Sequence, residues 1–341
     1  MQFSYICRNA LLMKIYFFFP AFCIPLFAFG DNPIDTSYIK IFKERFNIVG
    51  EIYSKSVEFS IKPFTKTDSI DLREIKYKPN VRSYFGISAY YKGWGGGFSV
   101  NISNSKRNDS LYGKTQYWDY RLALRWRKFG TTGYIRYYKG FYLDAPDRFD
   151  TTWNGGAYPN RGDMEFTAMG LNAYYLFNSE KFSMQAALSQ SEKQKHTAGS
   201  FLLSSDFQLS LVRADSSLIP LCDEKNYYEM QGFNEMLSSS LSLTLGYARN
   251  FVLGKKKNSY ICPMLFIGPG IQQKKMKVEK GYVNDNSSFF KTNFKLAFGR
   301  NASVVYYGMI FDADSNFMSA EYINFKTVVL LVDFFIGYRF G

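Results

Sequence analysis

The sequence is poor in the residue types that most enzyme and metal sites require. It has one histidine, His196, and four cysteines, of which only Cys222 and Cys262 lie beyond residue 30. Because transition-metal sites combine several such ligands at close spacing, we expect no metal and no cofactor. His196 with Ser200 is a conceivable catalytic pair, but a solvated loop histidine is the simpler interpretation. Whether the two cysteines form a disulfide or stay free thiols is open.

Long apolar runs are also scarce. Beyond residue 30 there is no run of eighteen or more apolar residues, so the sequence predicts no membrane helix. The one long apolar stretch covers residues 15–29, follows Lys14 and ends in Ala28-Phe29-Gly30. This arrangement is typical of a cleavable signal peptide. We therefore predict a signal peptide over residues 1–30 and export of the remaining chain.

Acidic residues are too few to balance the basic ones. The chain has 42 Lys+Arg against 29 Asp+Glu, a net charge of +13, and loss of Arg8 and Lys14 with the signal leaves 13 − 2 = +11. Such an excess often indicates nucleic-acid binding, but the basic residues are scattered and the chain is predicted to be exported. We expect no nucleic-acid partner. The predicted anionic partner is lipopolysaccharide, another anionic glycan or an anionic solute.

Aromatic residues, by contrast, are abundant, and they alternate with polar ones. The chain has 27 Tyr and 34 Phe, residues that suit strands and membrane interfaces. Trp118, Tyr120 and Leu122 alternate with inward Asp119 and Arg121, and similar period-two patterns recur along the chain. A strand between lipid and a polar lumen has this pattern. We therefore predict an all-β fold, a transmembrane antiparallel up-and-down β-barrel over residues 51–341.

The strand count follows from these patterns. An even number is expected for a single-chain barrel, so we estimate twelve strands, with fourteen as the alternative. Tight turns alternate with long polar loops, which are predicted at 62–80, 104–116, 144–163 and 272–286. Residues 31–50 form a predicted short periplasmic segment, with a helix over residues 38–46. The thirteen segments with strand patterns are 52–61, 81–91, 95–103, 117–129, 132–143, 164–177, 181–190, 199–212, 238–252, 258–271, 287–299, 302–312 and 324–340.

The charged residues on the polar side of these strands are the candidate functional residues. In a barrel they face the lumen, where they can line an anion-selective pore or form a salt-bridged plug. Both interpretations remain open for a barrel of twelve strands, because lumen width then depends on the side chains that fill it. The candidates are Asp119, Arg121, Arg125, Arg127, Arg136, Lys291, Lys295, Asp333 and Arg339.

The C-terminal segment has the clearest alternation. Phe334, Ile336, Tyr338 and Phe340 form one apolar face, which resembles the signal by which the barrel-assembly machinery recognises its substrates. The segments Tyr77-Lys78-Pro79-Asn80, QKHTAGS from residue 194 and the closing GYRFG are similar to those of an outer-membrane barrel family known as domain of unknown function 4421. The resemblance implies a barrel in the outer membrane of a Gram-negative envelope. It implies no activity.

Three function classes are compatible with this sequence. The first is a barrel for passive transport or envelope structure. The second is a lipid- or glycan-processing enzyme, which would depend on His196 or a carboxylate pair. The third is a surface-binding protein that uses the loop over residues 144–163, which is rich in Tyr, Trp and Asp. Calcium binding by acidic residues such as Asp144, Asp147 and Asp150, or Asp312 and Asp314, is less favoured than a solvated loop.

Overall fold

A computed structural model describes most of the chain after the predicted signal peptide. The described residues are 34–42, 45–56, 58–63, 74–102, 106–150, 152–224, 227, 230–318, 323–324 and 327–341. The signal-peptide prediction lies outside them. Two short helices occur in this part of the chain, α1 (Lys106–Tyr112) and α2 (Met184–Leu188), with a 3-10 turn at Pro146–Arg148. No helix there is both long and apolar enough to span a membrane.

Seventeen strands occur in the described residues. In chain order they are β1 (Ile39–Ile41), β2 (Phe46–Ser56), β3 (Phe59–Pro63), β4 (Ile75–Lys78), β5 (Tyr84–Tyr91), β6 (Trp94–Asn101), β7 (Gln116–Arg125), β8 (Phe129–Leu143), β9 (Asn160–Leu176), β10 (Glu192–Gln194), β11 (Ala198–Arg213), β12 (Glu235–Leu253), β13 (Ser259–Val278), β14 (Gly281–Asn301), β15 (Val305–Met318), β16 (Ile323–Asn324) and β17 (Thr327–Phe340).

Twelve of these strands close into one antiparallel barrel, which confirms the predicted fold class. They are β2, β5 to β9, β11 to β15 and β17, and each pairs with the next barrel strand in the chain. The barrel closes where β17 pairs with β2, with Phe340 opposite Phe46 and Leu330 opposite Ser56. A closed barrel leaves no strand edge unpaired, which is the condition for β-structure to lie in lipid.

The side chains of the barrel alternate between an apolar outer face and a more polar lumen. On β17, Phe334, Ile336 and Tyr338 are 46–61% exposed, whereas Asp333 and Arg339, on the opposite face of the strand, are at most 8% exposed. The same outward exposure recurs on the other strands, as at Leu122, Leu245 and Phe290. Aromatic residues such as Trp94, Trp126 and Tyr247 form part of this outer surface. An apolar surface that encircles a barrel is typical of contact with lipid.

The two ends of the barrel differ in their connections. At the turn end, residues 92–93, 126–128, 254–258 and 302–304 form short connections, and the first and last barrel strands begin and end there. At the loop end, longer connections contain α1, the strands β3 and β4, and residues 214–234. Inward-facing barrel residues such as Tyr84 and Tyr138 share one hydrophobic core with loop residues such as Ile75, Leu218 and Phe233. The loop end of the lumen is therefore filled by apolar packing.

One connection at the turn end is long and packs inside the barrel. Residues 177–197, here called the plug, contain α2 and β10. In the plug, Phe182, Met184 and Ala187 are buried in one cluster with inward-facing residues such as Cys262 and Met264. The predicted strand over residues 181–190 was therefore wrong. Met184, Ala187 and Leu188 also fit helical spacing, and the N-cap Ser183 side chain accepts a hydrogen bond from Ala186 N at 3.0 Å.

Two further sequence predictions were wrong. Where the structure describes residues 38–46, the predicted helix is wrong, because residues 39–41 form strand β1 and β2 begins at Phe46, five residues before the predicted barrel domain. The predicted loop over residues 272–286 instead continues β13 and β14, which are joined at residues 279–280. Its polar composition reflects lumen-facing pairs rather than a loop, as Lys274 lies 3.6 Å from Asp285 inside the barrel.

One close approach in the wall gives a stability prediction. A Cβ on Gly337 would lie 2.2 Å from two ring carbons of Tyr306, which is fully buried and stacks against Arg339. We expect Gly337→Ala to lower the free energy of unfolding by about 1–3 kcal/mol, because the ring cannot move aside freely. Denaturant titration of the lipid-reconstituted protein measures this. Gly50→Ala is the control, since no atom lies within 4 Å of its Cβ position, and an equal loss in both variants would contradict the prediction.

Candidate functional site

The structure places the nine candidate charges on the inner side of the barrel or against the plug. Asp119, Arg121 and Arg136 meet on one wall, and Lys291 and Lys295 meet acidic residues on the opposite wall. Arg127 and Arg339 contact the plug. Arg125 lines a cavity beside the plug, and Asp333 is 8% exposed. The alternation of the strands is what brings these distant positions to one lumen.

Asp119 is the centre of the first cluster. It stands opposite Arg136 in the register of β7 and β8, and Arg136 Nε donates to its Oδ2 at 2.7 Å. Arg121 Nε lies 3.3 Å from Asp119 Oδ1, and Arg121 Nη2 donates to Glu51 Oε2 at 2.8 Å. The Tyr117 hydroxyl also donates to Asp119, which is 1% exposed. Glu51 was missed because the predicted strand began after it, although it continues the inward alternation of Asn47 and Val49.

The second cluster pairs lysines of β14 with carboxylates. Lys291 Nζ lies 3.2 Å from Asp206 Oδ2 and 3.6 Å from Asp314 Oδ2. Lys295 forms an ion pair with Asp312, which also accepts from Asn293 Nδ2 at 2.7 Å. The sequence analysis considered Asp312 and Asp314 as calcium ligands, but in the structure they neutralise lysines. The sequence analysis missed Asp206, although its position on the polar side of the predicted strand over residues 199–212 could have identified it.

The third cluster fixes the plug to the wall. Arg339 is 1% exposed, and its guanidinium donates to the carbonyl oxygens of Gln190 and Ala302 and to Asn301 Oδ1. The same group lies 4.2 Å from the ring centroids of both Phe42 and Tyr306. A buried guanidinium with these partners compensates its lost hydration by charge-assisted hydrogen bonds and cation–π contacts.

A buried ion pair completes this attachment. Arg127 Nη1 lies 2.8 Å from Glu192 Oε2, and both side chains are less than a tenth exposed. Glu192 also accepts from the Ser183 hydroxyl at 2.5 Å, which joins β10 to the start of α2. From the wall, the Tyr260 hydroxyl donates to the Ala187 carbonyl at 3.0 Å. Side chains from three parts of the wall therefore hold the plug in one position.

The N-terminal segment, residues 34–42, lies against the plug. Strand β1 pairs with β10, with Ile39 opposite Gln194 and Ile41 opposite Glu192. The Tyr38 carbonyl oxygen of this segment also accepts a hydrogen bond from the Lys195 backbone N–H at 2.7 Å. Residues 34–42 of the predicted short periplasmic segment are therefore paired with the plug at the turn end.

The remaining candidates for chemistry do not come together. His196 Nε2 lies 3.2 Å from Lys257 Nζ, while the Ser200 hydroxyl donates to the Phe201 carbonyl, so the two do not form a catalytic pair. Cys222 is exposed and Cys262 is buried, and both are free thiols. In the part of the chain that the structure describes, no cluster of three or more His, Cys, Asp or Glu is arranged to hold a metal.

The loop over residues 144–163 is partly ordered by its own aromatic side chains. The Tyr158 ring lies 4.7 Å from Tyr112 and 5.2 Å from Trp153. Asp144 is not free for calcium, because it accepts from Lys78 Nζ at 2.6 Å. Partial burial opposes the charge of Lys78, but the hydrogen bond and charge of Asp144 outweigh it, so the pKa of Lys78 is raised. Surface binding by this loop stays a prediction.

Comparison with known proteins gives a family and several distant barrels. A family model described as "Domain of unknown function" (DUF4421) matches residues 33–340. No curated protein matches the sequence. The outer membrane protease OmpT of Escherichia coli has 9% identity over 88% of this chain and 98% of its own, with a TM-score of 0.39. The beta domain of the Bordetella autotransporter BrkA has 11% identity over 87% and 100%, with a TM-score of 0.41. Likenesses at this level carry no inference about function.

Proposed function

This chain belongs to the family described as Domain of unknown function (DUF4421), and because that description names no activity, we propose a function from the geometry of the barrel lumen. We propose that the protein is an outer-membrane barrel whose lumen is closed by its own plug, and that it acts as a non-conducting envelope protein instead of an open pore. The observation that carries this proposal is the fixed position of the plug, with buried Arg339 and the Arg127–Glu192 ion pair as its anchors.

The proposed location rests on the outer surface of the barrel. A closed barrel with an apolar outer face suits a bilayer, and the predicted signal peptide provides export to the envelope. Outer-membrane lipids and lipopolysaccharide are then the proposed partners of this surface. Phe334, Ile336, Tyr338 and Phe340 point outward on the strand that closes the barrel. This position supports their proposed role as the signal for the barrel-assembly machinery.

The arrangement of the lumen favours closure over passive conduction. At the turn end the plug is held by side chains, and at the loop end an apolar core fills the space between the strands. Between them, the lysines that would attract anions are matched with carboxylates, as in the Lys291–Asp206 and Lys295–Asp312 pairs. An anion-selective pore instead presents unmatched cationic groups along a continuous passage.

We expect the purified full-length protein to be silent in planar bilayers. The reason is that neither end of the lumen can open without the loss of buried hydrogen bonds or apolar packing. The measurement is single-channel current in symmetric potassium chloride, with a general porin inserted under the same conditions as the positive control. Reproducible stepwise currents from protein that migrates as a folded barrel on unheated gels would overturn the proposed function.

A further inference from the structure

A cavity of about 260 Å³ lies in the lumen beside the plug. One part of its wall is apolar, where Met184 and Leu188 of the plug meet Met264 and Phe266 of β13. The remainder is polar and includes Arg125, Tyr174, Asn172, Lys291 and Lys295. A cavity with an apolar wall and a few polar groups is the usual form of a small-molecule site.

Two hydrogen-bond donors converge at one side of this cavity. Arg125, Gly130 and Tyr174 stand in one row across the neighbouring strands β7, β8 and β9. The Tyr174 ring lies over Gly130, since a Cβ on that glycine would be 2.4 Å from the Tyr174 hydroxyl oxygen. The hydroxyl therefore reaches across β8 toward the strand that carries Arg125. The missing side chain of Gly130 makes this approach possible.

Among the described residues, neither donor has a protein acceptor. The Arg125 guanidinium lies over the Tyr90 ring, whose centroid is 4.9 Å away. A similar tyrosine, four residues beyond Gly130 on β8, differs: Tyr134 lies over Gly170, and its hydroxyl donates to Gln208 Oε1 at 3.0 Å. The lysines in the cavity wall are already paired with Asp206 and Asp312. Asp206 and Asp314 also line the cavity, but both lie beside Lys291. Arg125 forms no ion pair among the described residues, and a partly buried guanidinium without a protein acceptor favours an anionic partner.

We propose that this cavity binds a small amphiphilic carboxylate. The carboxylate accepts from the Arg125 guanidinium, whose fork geometry matches two oxygens, and from the Tyr174 hydroxyl. The apolar tail packs against Met184, Leu188 and Phe266. At roughly 30 Å³ per water-sized volume, about 260 Å³ suits a ligand of roughly eight to ten heavy atoms. The inference rests on the proposed function, because the plug supplies half of the apolar wall.

Calorimetric titration of the full-length protein in lipid nanodiscs tests this proposal with hexanoate as the probe. Heats from empty nanodiscs are subtracted. We expect Arg125→Ala to weaken hexanoate binding by about 30-fold or more and Tyr174→Phe by about tenfold, the range for hydrogen bonds to a charged group. Acetate, which lacks the tail, and hexan-1-ol, which lacks the charge, are expected to bind at least about tenfold more weakly than hexanoate.

Two variants serve as matched controls. Tyr134→Phe removes a hydroxyl from the same ring-over-glycine arrangement, and Arg249→Ala removes an arginine that contacts Phe251 on the exposed face. Both are expected to change hexanoate affinity by less than about twofold. Equal hexanoate binding by wild type and Arg125→Ala, or no binding above empty nanodiscs, would overturn the site. A conducting protein that still shows Arg125-dependent binding would overturn the closed lumen and leave the site intact.

Discussion

Removal of the plug is expected to expose Cys262 to thiol reagents, with an increase in labelling rate of at least about 100-fold. Cys262 faces the lumen, is fully buried and packs in one cluster with Phe182, Met184 and Ala187 of the plug. The plug must leave before a maleimide can reach this thiol from the turn end. A 100-fold shielding corresponds to a local opening free energy of about 3 kcal/mol.

The register of the barrel specifies how the plug can be removed. Leu176 stands opposite Leu202, and the Phe177 amide donates to the Phe201 carbonyl at 3.2 Å, so Asn178 and Ser200 continue the ladder. Replacement of residues 179–199 by Asn-Gly closes this ladder with a two-residue hairpin turn. The measurement is the rate of maleimide attachment in a Cys222→Ser background, which removes the exposed thiol at the loop end.

A milder pair of variants separates plug removal from general damage. Arg339→Met keeps the plug but removes the buried guanidinium of the wall that holds it. We expect a Cys262 labelling rate between that of the wild type and that of the hairpin variant. Arg249→Met removes an outward-facing arginine and is expected to leave Cys262 shielded. If the hairpin variant forms a folded barrel and Cys262 remains unreactive, then the plug does not seal the turn end. Thiol labelling reports on this end alone, whereas ionic current also requires an opening through the core of the loop end.

The fold was largely predictable because a lipid-facing strand must alternate, and alternation is visible in sequence. The pattern from Trp118 to Arg127 predicted the outer and inner faces of β7, and the final segment predicted those of β17. The plug was not predictable in this way. Its residues 181–190 alternate as well as a strand does, and the difference lies in what they pack against, which is the inside of a barrel formed by distant residues.

The sequence allowed us to predict which charged residues face the lumen, but not which of them form ion pairs. Alternation predicted that Asp119, Arg121 and Arg136 face the lumen. It did not predict that Asp119 and Arg136 stand directly opposite each other, or that Arg121 pairs with Glu51, because both depend on strand register. Likewise, the polar residues over 272–286 led to the prediction of a loop. The sequence alone does not show that Lys274 and Asp285 face each other inside the barrel. Register is set by hairpin geometry and by packing across the barrel, and both are long-range properties.

Asp119→Asn is expected to be the most damaging single substitution in the ion-pair cluster, with a loss of about 3–5 kcal/mol in the free energy of unfolding. Asp119 is the shared ion-pair partner of Arg121 and Arg136, so its neutralisation leaves both guanidiniums without this carboxylate, and Arg121 keeps its ion pair with Glu51. Since Asp119 is 1% exposed, solvent cannot replace the lost carboxylate charge effectively. Denaturant titration of the reconstituted barrel measures the loss.

A double-mutant cycle with Arg136→Gln distinguishes electrostatic coupling from a packing defect. If the loss arises from unpaired charge, Arg136→Gln should recover part of it in the Asp119→Asn background, with a coupling energy of about 1–3 kcal/mol. Glu58→Gln is the control, because its ion pair with Lys76 lies at the loop end with both side chains about 30% exposed, and it should cost less than about 1 kcal/mol. Strictly additive losses from Asp119→Asn and Arg136→Gln would show that the cluster does not act as an electrostatic unit. In that case closure of the lumen would depend on the plug and the loop-end core alone.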